Sequence, residues 1–285
     1  MEINELILIL DKIAKISNEE WLSKLEERKL LELEFHNRDR DEKIFESLDK
    51  DSFEKYYGNK KYYRTIKKST DYVENWIKKN AQGKVFLDYA CGNANNALMA
   101  ASAGAKLAIG LDISDVSIEN AKKKAKDKEL NNTYFLQADA EDTKIPDSSV
   151  DTIICSGMLH HLDLSYAFPE LRRILAPNGK ILAVEALEYN PFIKLYRMLT
   201  PDMRTEWEKH HILGQKDLRF AEHFFDVKNI KYWHVTSYLS AKIPFSLKVL
   251  NSLDSLLTKI PIVKLMAWIF TFELHSQKKI NNNKI

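Results

Sequence analysis

The chain has 285 residues, of which 45% are hydrophobic and 29% charged, with a formal net charge of +2. That length allows one large α/β domain with additions or two small domains, and the near-neutral balance argues against a dedicated nucleic-acid binder, which carries a strong basic excess. Cys91 and Cys155 lie far apart beside apolar runs, so a disulfide framework or zinc site has no support. No other pattern calls for a metal, and the chain reads as reduced and cytoplasmic.

Residues 1–80 read as a helical N-terminal lid or extension. The start, MEINELILILDK, is apolar but too short to span a bilayer and lacks the basic leader and cleavage site of a signal peptide. Leucines through WLSKLEERKLLELEF recur at helical spacing, and Thr70–Lys79 forms a second helical run. Between them, the aromatic-basic patch YYGNKKYYR at 56–64 reads as a lid, with Tyr63 a candidate contact for a cofactor carboxylate.

From 84 to 188 the texture changes. VFLDY (85–89), KLAIGLDI (106–113), TYFLQ (133–137), VDTIICS (150–156) and KILAVEAL (180–187) read as strands. Helical runs at 95–103, 116–130 and 166–175 separate them. This alternation implies right-handed βαβ units and a Rossmann-like, doubly wound, mostly parallel sheet. Ligands of such sheets sit outside the carboxyl ends of the strands. Strand-like stretches at 224–230 and 231–239 bring the expected sheet to seven strands. The expected organisation is a lid at 1–80, an α/β domain at 81–240 with an insertion at 189–221, and amphipathic helices at 241–285.

The first strand–helix junction is the sharpest feature. In VFLDYACGNANNAL, Asp88 ends a buried strand, and a turn of small residues opens into a helix. Close approach of a ligand to the backbone needs such residues, and Ala90, Gly92 and Ala94 hold the three small positions. Asp112 ends the next strand, about 20 positions beyond the turn, where an acidic residue accepts hydrogen bonds from ribose hydroxyls. Asp139 closes the third strand in LQADAEDTKIP. The fourth strand delivers Ser156, Gly157, Met158, His160 and His161 to the same edge.

This succession resembles the class I S-adenosylmethionine (SAM)-dependent methyltransferases, especially their small-molecule group, over residues 84–188. The resemblance implies SAM as cofactor, with S-adenosylhomocysteine as product. It places Asp88 and the turn with Ala90, Cys91, Gly92 and Asn93 at the methionine part, and Asp112 at the ribose, with Ser114 a further cofactor-binding candidate. It places Asp139 and Ala140 at the adenine, with Ile113 and Met158 packing on the adenosine and Glu141, Ser156 and Gly157 as further cofactor-binding candidates. Alanine stands where the family has its first and third turn glycines, which is costly only where φ is positive.

Methyl transfer to a hydroxyl needs a base, and imidazole titrates in the right range. His160 and His161 lie where the acceptor belongs, and as neighbours they are not expected to face the ligand together. His211 is a further candidate, from a run that resembles glycan- and lipid-linked methyltransferases: Asn190-Pro191, Leu195-Tyr196-Arg197, Thr200-Pro201, then Arg204-Thr205 and His210 or His211. Glu185, ending the fifth strand, is another pocket candidate.

The expected reaction is O-methylation of a small-molecule or lipid-linked acceptor. The alternatives are an RNA-modifying methyltransferase or a non-catalytic SAM-binding protein. Residues 241–285 carry seven lysines among leucines and aromatics, and the stretch 245–272 is a candidate peripheral contact with the inner membrane face. Acceptor identity and oligomeric state are not readable from the sequence.

Overall fold

The computed structural model describes residues 1–16 and 18–276. Seven strands form one sheet: β1 (Val85–Tyr89), β2 (Leu107–Asp112), β3 (Thr133–Gln137), β4 (Val150–Ser156), β5 (Leu175–Ala186), β6 (Phe225–Trp233) and β7 (Ile269–Ser276). Their order is β3-β2-β1-β4-β5-β7-β6. β1 to β5 run parallel, whereas β7 lies antiparallel to both β5 and β6. The chain winds outward in one direction through β1, β2 and β3, then returns to β4 on the other side of β1. That switch point opens a crevice above the carboxyl ends of β1 and β4.

Local chemistry explains the frame. Every residue of β1 and β2 is buried, as expected for central parallel strands covered on both faces. The crossover helices start on side-chain caps: Ser114 accepts from Ser117 N at the head of Asp115–Asp127, and Asp163 from Ser165 N at the head of Leu164–Ile174. On one face the Lys67–Ala81 helix buries Val73, Trp76 and Ile77. The Trp76 indole reaches across to donate to Glu273 of β7 at 3.0 Å. Helix Ile3–Ala14 buries Leu6 and Leu10 against the main core, and its Asp11 accepts from Tyr134 of β3 at 2.8 Å.

The five strands from 85 to 187 and the helices between them lie where the sequence puts them. Three expectations need correction. The run 21–35 is not one helix; it breaks into Asn18–Leu22 and Glu27–Arg40, where the Ser23 hydroxyl donates back to Glu20 O and competes with helical pairing. The stretches at 224–230 and 231–239 are a single strand, β6, with an irregularity between Lys228 and Lys231. It ends at Trp233, and the next residue, His234, has a φ of 65° that turns the chain out of the sheet. The segment 241–285 is not purely helical either. After helix Leu247–Leu257 comes β7, so the α/β domain extends beyond 240, while residues 277–285 of that expected segment lie outside the described residues. A short apolar run looks alike as helix or strand by periodicity, and here pairing on both edges decides it. Among the described residues no helix is long and apolar enough to cross a membrane.

Candidate functional site

The turn after β1 forms the floor of a cavity of about 390 Å³. Ala90, Gly92 and Ala94 have φ of 53°, 50° and 56°, so all three sit in the left-handed region. A side chain there costs roughly 1–2 kcal/mol per residue. The alanines therefore fall under the costly case. Ala90 faces the cavity, whereas Ala94 is fully buried in a small apolar cluster. Ala90→Gly is expected to stabilise the protein by about 0.5–1 kcal/mol, the relieved strain minus the entropy glycine adds to the unfolded chain, raising Tm by about 1–4 °C. Ala94→Gly forfeits the burial of a methyl worth about 0.8 kcal/mol and is expected to be near neutral. Calorimetric melting of both variants checks this, and a lowered Tm for Ala90→Gly would refute it.

Asp88 is not at the cavity wall. Its carboxylate turns back and accepts from Ala97 N at 3.1 Å and the Asn96 amide at 3.4 Å, capping the Asn95–Ser102 helix. It is 1% exposed, and burial pushes its carboxyl up to about 7. The expectation that it faces the ligand space is corrected: it positions the turn that forms the cavity floor. Ser114 is corrected likewise. Its hydroxyl caps the Asp115–Asp127 helix and donates to Asn37 at 2.6 Å, and Ser117 takes its place at the wall.

The remaining cofactor candidates from the central strands converge on the cavity: Cys91, Asn93, Ile113, Ala140, Ser156 and Met158, together with the glycines 92 and 157. Burial holds the Cys91 thiol well above its usual range. Asp112 braces the floor, accepting from Gly92 N at 2.7 Å through one oxygen and from Ser114 N at 2.9 Å through the other. Asp139 and Glu141 also line the cavity, but as anchors. Lys29 Nζ lies 2.7 Å from Asp139 and 3.0 Å from Glu141, while Arg28 holds both Glu141 oxygens at 2.7 and 2.8 Å. Burial alone lowers the Lys29 pKa, yet its two carboxylate partners outweigh that and raise it.

Those cations belong to the Glu27–Arg40 helix, which roofs the cavity. Arg28, Lys29, Glu32, His36 and Arg40 all face inward. Their spacing of three to four residues is itself a helical stripe, a signal the leucine pattern obscured. Arg40 approaches closest to the turn: a Cβ on Gly92 would lie 3.4 Å from its Nε. That Nε is buried without a hydrogen-bond partner.

A second cavity of about 290 Å³ lies between the N-terminal helices and the Pro191–Leu199 helix, walled by Tyr62, Tyr63, Ile193, Met203 and Trp268. An intermediate space of about 580 Å³ joins the two, sharing His36, Ser156 and His161 with the first and His160, Tyr63 and Glu208 with the second. Tyr63 is thereby corrected: it stands on the second cavity, its ring 5.5 Å from Trp268, and not at the first.

His160 and His161 sit on the 3-10 turn after β4. Both line the intermediate space, against the expectation that neighbours diverge, with ring centroids 4.3 Å apart. His160 Nδ1 lies 2.6 Å from Glu185 Oε2. Glu185, fully buried at the end of β5, also accepts from Met158 N at 2.9 Å and Leu159 N at 2.8 Å. The ring is thus held by a fixed carboxylate, its Nε2 toward the cavity and 4.0 Å from Glu208. His161 Nδ1 instead pairs with Glu32 of the roof helix at 3.0 Å. Burial opposes its protonation, but Glu32 outweighs burial and raises its pKa, while Glu32 is held well below the usual carboxylate range.

His211 is away from all of this. It stacks on Trp207 at 3.6 Å, bonds Trp207 O and is exposed on another face. The run that suggested it is partly architectural: Asn190 caps the Pro191–Leu199 helix, Pro191 fills the first helical position, and Thr200 accepts from Arg204.

A family model described as a methyltransferase domain matches residues 87–183. The chain is 31% identical over 101 residues to the 27-O-demethylrifamycin SV methyltransferase of Amycolatopsis mediterranei, covering 35% of this chain and 37% of that one. It is 34% identical over 105 residues to the demethylmenaquinone methyltransferase of Thermus thermophilus, covering 36% and 47%. The matched segment therefore spans less than half the length of these curated relatives. A solved structure of phosphoethanolamine N-methyltransferase 2 from Haemonchus contortus, in complex with S-adenosylhomocysteine, shares the fold with a TM-score of 0.52 at 16% identity, over 72% of this chain and 52% of that one. Strand order, motif order and family match agree, and residues 87–183 carry the methyltransferase domain that the family model describes.

Proposed function

We propose that this protein transfers the SAM methyl group to an oxygen of a small-molecule or lipid-linked acceptor held in the second cavity, with His160 as the base. The observation that carries this reading is the Glu185–His160 pair at the junction of two connected cavities. The first cavity suits the cofactor. Asp112 can accept from ribose hydroxyls, Ile113 and Met158 offer apolar contact to the adenosine, and the unpartnered Arg40 Nε beside the Gly92 turn suits the carboxylate. Asp139 and Glu141 reach the adenine end already paired with Lys29 and Arg28.

When bound, the cofactor supplies a methyl on a positive sulfur, open to in-line displacement. The two cavities then do the work of alignment, holding the acceptor oxygen in line with that carbon. Glu185 accepts the Nδ1 proton of His160, fixing the tautomer with a free lone pair on Nε2. His160 Nε2 would take the acceptor hydroxyl proton as the methyl carbon exchanges its bond to sulfur for one to oxygen, leaving the neutral thioether, and Glu185 would stabilise the resulting imidazolium. Incubating labelled SAM and the protein with lipid, aqueous and RNA fractions of a cell extract tests the reading. Label is expected in the lipid or aqueous fraction. Label confined to RNA, or found nowhere, would refute it.

Peripheral membrane contact is part of the same proposal, redrawn by the fold. Ile269–Ser276 lies inside the sheet and cannot reach lipid. Instead Phe192, Met198 and Leu199 from one helix, with Phe245, Val249 and Ile262 from the segment opposite, are 68–89% exposed. Phe192 also lines the second cavity, so apolar surface continues from its mouth. Anionic liposomes are expected to float the wild type and to release Phe245→Glu; equal flotation of the two would remove the contact from the proposal.

A further inference from the structure

The second cavity carries more positive charge than its own carboxylate neutralises. Two arginines line it, Arg197 and Arg204, with Glu208 as the carboxylate between the cavities. Arg204 is only 7% exposed in its side chain and is already engaged, donating to Thr200 O at 2.7 Å with Glu208 3.6 Å from its Nε. Glu208 is thereby committed to Arg204 on one side and faces His160 on the other. Arg197 is left over. Its guanidinium has no hydrogen-bond or ion-pair partner among the described residues, although it lines a cavity whose walls include Phe192, Ile193, Leu239 and Trp268. Burial, and then the like charge of Arg204, lower its pKa to about 10.

Such an arrangement is unfavourable by itself. Half-buried cations are normally paired, and two guanidinium groups beside one carboxylate in an apolar setting repel each other. The neighbouring donors are also unspent. The phenol of Tyr63, on the same wall, has no hydrogen-bond partner among the described residues, and Lys242 stands exposed at the rim. A guanidinium fork, a phenol and a rim ammonium line the same cavity as the apolar Ile193 and Trp268. The apolar walls ask for hydrocarbon and the donors for an anion. Planar forked donors match tetrahedral phosphate oxygens especially well.

We infer that the second cavity is a binding site for a phosphorylated amphiphile, with Arg197 taking the phosphate and the apolar walls taking the chain. This rests on the second cavity being the acceptor site, and it narrows the acceptor class to one bearing a phosphate or diphosphate near its methylated end.

The test uses the full chain and titration calorimetry with three probes: octyl phosphate, octanol and inorganic phosphate. Octyl phosphate is expected to bind at least about tenfold more tightly than either of the others, with an affinity that falls as salt is raised. Arg197→Gln is expected to weaken octyl phosphate by about tenfold or more while octanol and SAM bind as before; unchanged SAM binding shows that the variant is folded. Flotation with phosphatidate vesicles distinguishes the sources. Capture by vesicles without binding of free octyl phosphate assigns a lipid headgroup, and binding of free octyl phosphate alone assigns a soluble phosphorylated acceptor. Octyl phosphate binding no better than octanol, with no vesicle capture, overturns the inference, as does an equal loss of both probes in Arg197→Gln. Phosphate preference without any methyl transfer would leave the inference standing and refute the catalytic reading. Methyl transfer to an uncharged acceptor would do the reverse.

Discussion

Replacing His160 with glutamine is expected to lower kcat by about 10²–10⁴-fold while leaving the affinity for SAM unchanged. The split follows from position. His160 lines the intermediate space and the second cavity but not the first. Glutamine keeps a polar group near Glu185 yet offers no atom that accepts a proton at neutral pH. Glu185→Gln is expected to fall in the same direction, because its Oε2 holds the His160 tautomer while its Oε1 ties Met158 N and Leu159 N. Single-turnover label transfer, paired with calorimetric SAM titration, checks both variants. Retention of most of the activity by His160→Gln would assign the proton to another acceptor and leave His160 as scaffold.

The second large effect is expected at Asp112. Its two oxygens accept from Gly92 N and Ser114 N, at 2.7 and 2.9 Å. Alanine there removes the proposed ribose acceptor and strands two backbone donors in a buried site. Hydrogen bonds to a charged acceptor are worth about 1.5–3 kcal/mol each, so losing two toward the ribose predicts SAM binding weaker by about 10²–10⁴-fold. The stranded donors lower stability by a further ~2–6 kcal/mol. Calorimetry at a temperature where the variant remains folded separates the two effects. A SAM affinity within about tenfold of wild type would place the ribose elsewhere.

The central strands and their turns were legible because their signals are local: short buried runs, small residues at a tight turn, and an acidic residue closing a strand. Asp88 shows where that reasoning stops. The same letter at the end of β1 suits a ligand contact or a helix cap, and only the direction of its side chain toward Ala97 N decides. The Glu27–Arg40 helix was visible as a helix but with its faces misjudged. Leu31 is 53% exposed, whereas Glu32 is 4% exposed. A helix that roofs a polar cavity turns charge inward, so the rule of apolar faces inward misleads for it. β7 was hidden for a different reason. Pairing on both edges and burial on both faces leave no alternation, and its partners are distant in sequence. His211 misled because a histidine in a resembling run carries no information about which face of the protein it reaches.

The position of β7 has a consequence for how the molecule is made. Synthesis proceeds from the N-terminus, so β6 emerges well before the strand that joins it to the sheet. Until then the outer edge of β5 exposes a row of unpaired N–H and C=O groups. β1 to β5 contain the pairings that shape the first cavity, all among neighbours already synthesised. Trp268, which walls the second cavity, arrives with β7. The two halves of the site therefore mature on separate schedules, the second waiting on a slow, long-range strand insertion. A nascent chain paused in that interval has a shaped first cavity, an unfinished second one and a sticky sheet edge between them.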